Sequence, residues 1–96
     1  MSAATTGETM QILDPGLLDM ARVIAEKFEA SAEGNLREAE YWDREAEQYA
    51  RLPAYANWSR KYAEVFRRHA REDQEVAERN RRYIARAAAA NGAIAG

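Results

Sequence analysis

The chain has 96 residues, of which 31% are charged and 47% are hydrophobic, and its net charge is −2. A chain of this length forms one domain with a small core, and it buries only about 60 to 65% of the surface that the unfolded chain exposes. It has no cysteine and one histidine, which excludes disulfides, cysteine nucleophiles and the usual zinc ligand sets within one chain.

Charge is divided unevenly along the chain. Residues 1–52 contain eleven acids and five bases, a net of −6, whereas residues 53–96 contain five acids and nine bases, a net of +4. We therefore expect the two halves to neutralise each other on folding, and the balanced total favours neither nucleic acid nor an acidic partner.

The N-terminal sequence "MSAATTGETMQ" lacks the basic start and the apolar run of a signal peptide. No stretch approaches the roughly 20 apolar residues of a membrane span. We predict a flexible tail over residues 1–12, no membrane association and a cytoplasmic location.

The first helix is predicted over residues 15–32. Asp14 is placed to cap it, Pro15 suits the first helical position, and Leu13 with Leu18 has the spacing of a hydrophobic staple. An apolar stripe at spacings of three and four then continues through Leu17, Ala21, Ile24, Phe28 and Ala32.

A second helix is predicted over residues 36–51, after a break at Gly34 and Asn35. Gly34 supplies the left-handed conformation that ends helices, and Asn35 with Glu38 forms a capping box. The segment around Gly34, Ala39 and Ala46 resembles part of a tetratricopeptide repeat, but over only about 20 residues and without a second copy. We interpret it as a general signature of a helical hairpin.

The third helix is predicted over residues 54–90, between Pro53 and the stop at Asn91 and Gly92. Its length of roughly 55 Å exceeds the roughly 25 Å of the preceding helices. The predicted fold is all-α, a short three-helix bundle over residues 13–92 with Tyr55, Trp58 and Tyr62 in its core. The C-terminal helix projects beyond the hairpin, followed by a tail over residues 93–96. The alternative is a bend near residues 72–75 that folds the chain back as a fourth helix, although no glycine or proline marks one.

Three polar residues, His69, Asp73 and Asn80, fall in the apolar row of the third helix. His69 and Asp73 are one turn apart, but Ser59 lies nearly three turns away and no phosphate loop or nucleophile elbow exists. The Glu-x-x-His order of di-iron bundles is absent as well. We predict no catalytic, metal or cofactor site, and interpret the three as a polar seam that sets register and oligomeric state.

The predicted function is a non-enzymatic protein-binding module, an adaptor, inhibitor or structural subunit that acts through contacts between helices. We expect self-association along the third helix, as a dimer, or docking on a larger protein assembly. The predicted interface residues are Val76, Arg79, Asn80, Arg82, Tyr83, Ile84, Arg86 and Ala87. The alternative is a nucleic-acid-associated accessory protein whose contacts are Arg60, Lys61, Arg67, Arg71, Arg82 and Arg86.

Overall fold

The computed structural model describes residues 14–95 of the chain, and the side chains of residues 14–92. This part forms two α-helices, α1 (Pro15–Gln48) and α2 (Pro53–Ala95), joined by a turn over residues 49–52. The predicted all-α class is confirmed, and the predicted three-helix bundle is wrong. The predicted tail over residues 1–12 and the staple residue Leu13 lie outside the described residues.

The start of α1 follows the expected capping chemistry. Asp14 Oδ1 accepts a hydrogen bond of 2.8 Å from the backbone amide of Gly16, and the Asp14 carbonyl accepts one of 3.2 Å from the amide of Leu18. Pro15 occupies the first helical position, where no amide is needed.

The turn between the helices is set by Pro53, the first residue of α2. The amide of Tyr49 still bonds back to the Glu45 carbonyl at 3.0 Å, and the amide of Leu52 closes onto the Tyr49 carbonyl at 2.8 Å. The Leu52 carbonyl then accepts the first α2 bond from Ala56 at 2.9 Å. The interruption predicted at Pro53 is confirmed, because proline lacks the amide that would extend α1 through it.

The predicted break at Gly34 is wrong, because Gly34 and Asn35 lie inside α1. No described residue has a positive φ, so Gly34 does not form a left-handed stop. The Asn35 amide donates across to Asp73 of α2 at 2.9 Å instead of capping a helix. A glycine inside a helix costs about 1 kcal/mol relative to alanine. That cost is modest beside the tertiary packing that stabilises most helices in proteins.

Buried alanines recur at every seventh residue along both helices. We call two sets of them the alanine rows: Ala25, Ala32, Ala39 and Ala46 of α1, and Ala56, Ala63, Ala70 and Ala77 of α2. Each is at most 3% exposed. A seven-residue repeat keeps one side of a helix facing its partner. Small side chains at these positions permit a close approach of the two backbones.

Contacts divide the chain into two units. The terminal unit contains residues 14–27 and 76–95 of the described chain, and the loop unit contains residues 28–75. In the terminal unit the start of α1 lies against the end of α2, and Ala77 and Ala87 are buried. The predicted projection of the C-terminal helix is therefore wrong. Because α1 is not broken at Gly34, its first residues belong to the same unit as the end of α2 and lie against it.

Helix α2 is continuous through residues 72–75, so the alternative bend is also wrong. It extends to Ala95, beyond the predicted end near residue 90 and through residues 93–95 of the predicted tail. Gly92 is helical and does not end it.

Candidate protein interface

Aromatic side chains form a continuous cluster in the loop unit. We call it the aromatic patch: Tyr41, Trp42, Tyr49, Tyr55, Trp58, Tyr62 and Phe66. Trp42 of α1 meets Trp58 and Tyr62 of α2 edge to face, at centroid distances of 5.2 and 5.0 Å. Trp58 and Tyr62 stack on each other at 5.0 Å. Ring pairs of these geometries contribute about 0.5–1.5 kcal/mol beyond their buried area.

The aromatic patch is not a buried core, which corrects the prediction that Tyr55, Trp58 and Tyr62 pack inside. Trp58 is 49% exposed and Tyr62 is 38% exposed, and Tyr41 is 46% exposed at the α1 side. The rings touch each other, yet a large part of their surface faces solvent. Contiguous exposed apolar surface of this kind marks interaction sites in soluble proteins.

The polar atoms within the patch differ in their hydrogen bonding. The Tyr55 hydroxyl donates to Glu45 Oε1 at 2.8 Å, and this hydrogen bond to a carboxylate raises the pKa of Tyr55 above its ordinary value. Trp42 Nε1 is buried and has no hydrogen-bond partner among the described residues, and Ser59 Oγ is buried as well.

Asp73, one of the three predicted seam residues, joins the two helices of the loop unit. Its Oδ2 accepts hydrogen bonds from Ser31 Oγ at 2.7 Å and from Asn35 Nδ2 at 2.9 Å. We call this arrangement the Asp73 clasp. His69 is exposed and contacts the Phe66 ring at a centroid distance of 6.5 Å. His69 and Asp73 lie one turn apart on α2, and Asp73 accepts its hydrogen bonds from α1.

Asn80 lies in the terminal unit, where its Nδ2 donates to the backbone carbonyl of Val76 at 2.9 Å. The amide is therefore satisfied within its own helix. Beside it is a shallow groove of about 230 Å³ that is mainly apolar, lined by Leu17, Met20, Ala21, Ile24, Asn80 and Tyr83. Met20 is 53% exposed at its edge. The terminal unit thus has an open apolar surface of its own, built from aliphatic side chains and one tyrosine.

The other predicted interface residues lie in the terminal unit, and Tyr83 is the one among them that also lines this groove. Val76, Tyr83 and Ile84 are half-buried, and Ala87 is fully buried. The three predicted arginines of the rim, Arg79, Arg82 and Arg86, are exposed. The assignment of these residues to an interface stays a prediction.

The arginines that would contact nucleic acid are mixed with acids. Arg67 donates hydrogen bonds to Asp43 Oδ2 of α1, at 2.6 Å, and to Glu64. These hydrogen bonds, the one to Asp43 first, raise the pKa of Arg67 above its ordinary value. Arg60 donates to Asn57 at 2.9 Å, and Arg82 lies 3.9 Å from Glu78. Lys61, Arg71 and Arg86 are exposed. Arg67 is thus paired within the chain, and a phosphate would have to compete with Asp43 and Glu64 for its guanidinium.

The described residues contain no group of three or more histidine, aspartate or glutamate side chains arranged to hold a metal ion. Over the same residues, neither helix is long and apolar enough to cross a membrane.

The sequence contained the signal that sequence analysis missed. The seven-residue spacing of the alanine rows passes through Gly34 without a change of phase, since Ala32 and Ala39 lie on either side of it. A row that keeps its phase predicts one helix.

Comparisons of the chain with protein-family models, with curated proteins and with solved structures found no match.

Proposed function

We propose that the chain is a non-enzymatic protein-binding module that acts through contacts between helices, as an adaptor, an inhibitor or a structural subunit. The observation that carries this proposal is the aromatic patch, in which Trp58 and Tyr62 are stacked and ordered against Trp42 yet remain 49% and 38% exposed. Tryptophan and tyrosine are among the residues most enriched where a few side chains dominate the binding energy of a protein interface.

The composition of the core gives a second line of support. Apart from Ser59, the buried side chains among the described residues are all alanine. Each contributes little apolar area, because a buried methyl group is worth about 0.8 kcal/mol. Larger apolar side chains are half-buried or exposed, so a partner that covers them would add stabilisation that the helix pair lacks.

The order of the exposed rings lowers the cost of binding. Trp58 and Tyr62 are fixed by stacking before a partner arrives, so less side-chain entropy is lost on association than for freely rotating groups. The proposal retains the cytoplasmic location predicted from the sequence.

The test is photo-crosslinking in cells that express the chain with benzoylphenylalanine in place of Tyr62. We expect one dominant protein adduct, because the replaced ring lies at the exposed part of the aromatic patch. The matched control carries benzoylphenylalanine in place of Glu40, which is exposed. Glu45 bonds to Tyr55 of the aromatic patch, and Glu40 lies on the opposite side of the α1 alanine row from Glu45. Absence of an adduct at position 62, or equal adducts at positions 62 and 40, would contradict the proposed function.

A further inference from the structure

Three exposed bases border the apolar groove of the terminal unit. On α1, Lys27 follows Ile24 by three residues, the spacing of neighbours on a helix surface. On α2, Arg79 precedes Tyr83 by four residues and Arg86 follows it by three. All three bases are exposed. The apolar lining of the groove therefore lies beside positive charge on both helices.

Two acids lie near this border. Glu75 precedes Arg79 by four residues, one helical turn, and both are exposed. Asp14 lies at the start of α1, where its carboxylate accepts a hydrogen bond from an amide of the first turn. The positions one turn before and one turn after Lys27 and Arg86, on their own helices, hold no acid. Lys27 and Arg86 therefore supply most of the positive charge of the border, and Arg79 adds less.

The remaining acids among the described residues of the terminal unit do not face the groove. Asp19 and Glu26 lie on the opposite side of the α1 alanine row from Ile24. Glu78 lies on the opposite side of the α2 alanine row from Tyr83. Three bases and two acids thus lie around the groove, and its border keeps a net positive charge.

The shape of the groove suits a helix. Its α1 lining residues Leu17, Met20, Ala21 and Ile24 recur at spacings of three and four, so they form a ridge along the helix. An amphipathic helix binds such a groove with apolar side chains at the same spacings. It would lie against α1 and α2 as a third helix and cover Met20, which is 53% exposed.

We propose that the groove binds an acidic amphipathic helix of a partner protein, with an apolar stripe in the groove and carboxylates beside the stripe that face Lys27 and Arg86. The apolar contacts supply most of the affinity, and the complementary charges select an acidic helix over a basic one. This inference goes beyond the proposed function, because that function rests on the aromatic patch of the loop unit and this one on the terminal unit.

The probe is a synthetic peptide of about 15 residues, long enough to form a helix. It has leucines at spacings of three and four, glutamates on both sides of the leucine stripe and alanine elsewhere. A second peptide has lysine in place of every glutamate. Fluorescence anisotropy of the labelled peptides with the purified full chain measures their affinities, and the NMR signals of the Met20 and Ile24 methyl groups locate the binding site.

We expect the acidic peptide to bind the wild type at least about tenfold more tightly than the basic peptide, and to shift the Met20 and Ile24 methyl signals. Lys27→Glu with Arg86→Glu should reverse this preference. The control is Arg60→Glu with Arg71→Glu, which makes the same change in net charge at two exposed positions of the loop unit. It should leave the preference unchanged.

Several results would overturn the proposal: no binding of the acidic peptide, equal affinity for both peptides, methyl signals that do not shift, or a preference that the control variant reverses as well. Sedimentation equilibrium of the full chain tests another occupant. If the chain is a dimer that the acidic peptide dissociates, a second copy occupies the groove and the proposal is wrong. The crosslink at position 62 tests the proposed function separately, since Tyr62 lies in the loop unit.

Discussion

The loop unit and the terminal unit are built on the same alanine rows but expose different chemistry. The loop unit has a cluster of stacked rings and a polar clasp between its helices. The terminal unit has an aliphatic groove and an asparagine bonded to its own helix. The comparison shows that a helix pair can use its smallest residues for internal packing and reserve its largest for the surface.

The largest effect is expected where both units share one feature, the alanine rows. Ala63→Leu in the loop unit and Ala77→Leu in the terminal unit should each lower the free energy of unfolding by about 3 kcal/mol, since close helix packing leaves no room for the added carbons. Urea unfolding followed by circular dichroism measures this. The exposed Ala85→Leu is the control and should change stability by less than about 0.5 kcal/mol. If the Ala63→Leu variant were as stable as the control, the rows would not be closely packed.

The Asp73 clasp is specific to the loop unit, so its removal should separate the units. Asp73→Ala leaves the Ser31 hydroxyl and the Asn35 amide without an acceptor, and should lower the free energy of unfolding by about 1–2 kcal/mol. Asn80→Ala in the terminal unit removes only a bond to its own helix and should cost less. The same urea titration compares them, and an equal loss in both would show that the clasp adds nothing to the loop unit.

Glycine substitutions should stabilise the two units unequally. A Cβ added at Gly34 or Gly92 meets no atom within 4 Å, so alanine fits at both positions. Gly34→Ala lies inside α1 and should raise the free energy of unfolding by about 0.5–1 kcal/mol. Gly92→Ala lies near the end of α2, where helices fray, and should raise it by less. Urea titration of both variants measures the difference, and loss of stability in the Gly34→Ala variant would contradict a continuous α1.

The smallest effect concerns the hydrogen bond between Tyr55 and Glu45. Because the pKa of Tyr55 is raised in the folded chain, the contribution of this group to stability is complete below the tyrosine pKa of about 10 in the unfolded chain. It is lost as pH rises through the higher folded value. Stability of the wild type relative to Tyr55→Phe should therefore fall above about pH 10, which unfolding at a series of pH values measures. A constant difference across that range would exclude the bond as a contributor.

Local signals in the sequence were reliable where backbone chemistry decides the outcome. Asp14 and Pro15 start α1, and Pro53 starts α2, because a cap and a missing amide act on adjacent residues. The helix break predicted at Gly34 was wrong because the preference of glycine for a helix end is weak beside the packing of two long helices. The bounds predicted for the first two helices, and the projection derived from them, were wrong for the same reason, whereas the third helix was predicted as one continuous helix.

The exposure of individual side chains was harder to predict than the helices. Trp58 and Tyr62 have the bulk of core residues, and sequence spacing alone does not say whether a large side chain lies in a helix contact or beside it. The hydrogen-bond partners of Asp73 could not be predicted from the sequence for another reason. Ser31 and Asn35 lie 42 and 38 residues before it in sequence, and only the pairing of α1 with α2 brings them to the carboxylate.

The regular spacing of the alanine rows also raises the question of alignment. Sliding one helix past the other by seven residues would bring alanine against alanine again, so the rows alone hold several alignments at similar energy. The Asp73 clasp is not periodic. Asp73 finds a hydroxyl and an amide at Ser31 and Asn35, whereas a shift of one repeat would bring it opposite Ile24 and Phe28, or opposite Glu38 and Trp42, and neither pair reproduces those two donors. The Asp73 clasp therefore favours one alignment among those that the alanines permit, together with the bonds of Tyr55 to Glu45 and of Arg67 to Asp43.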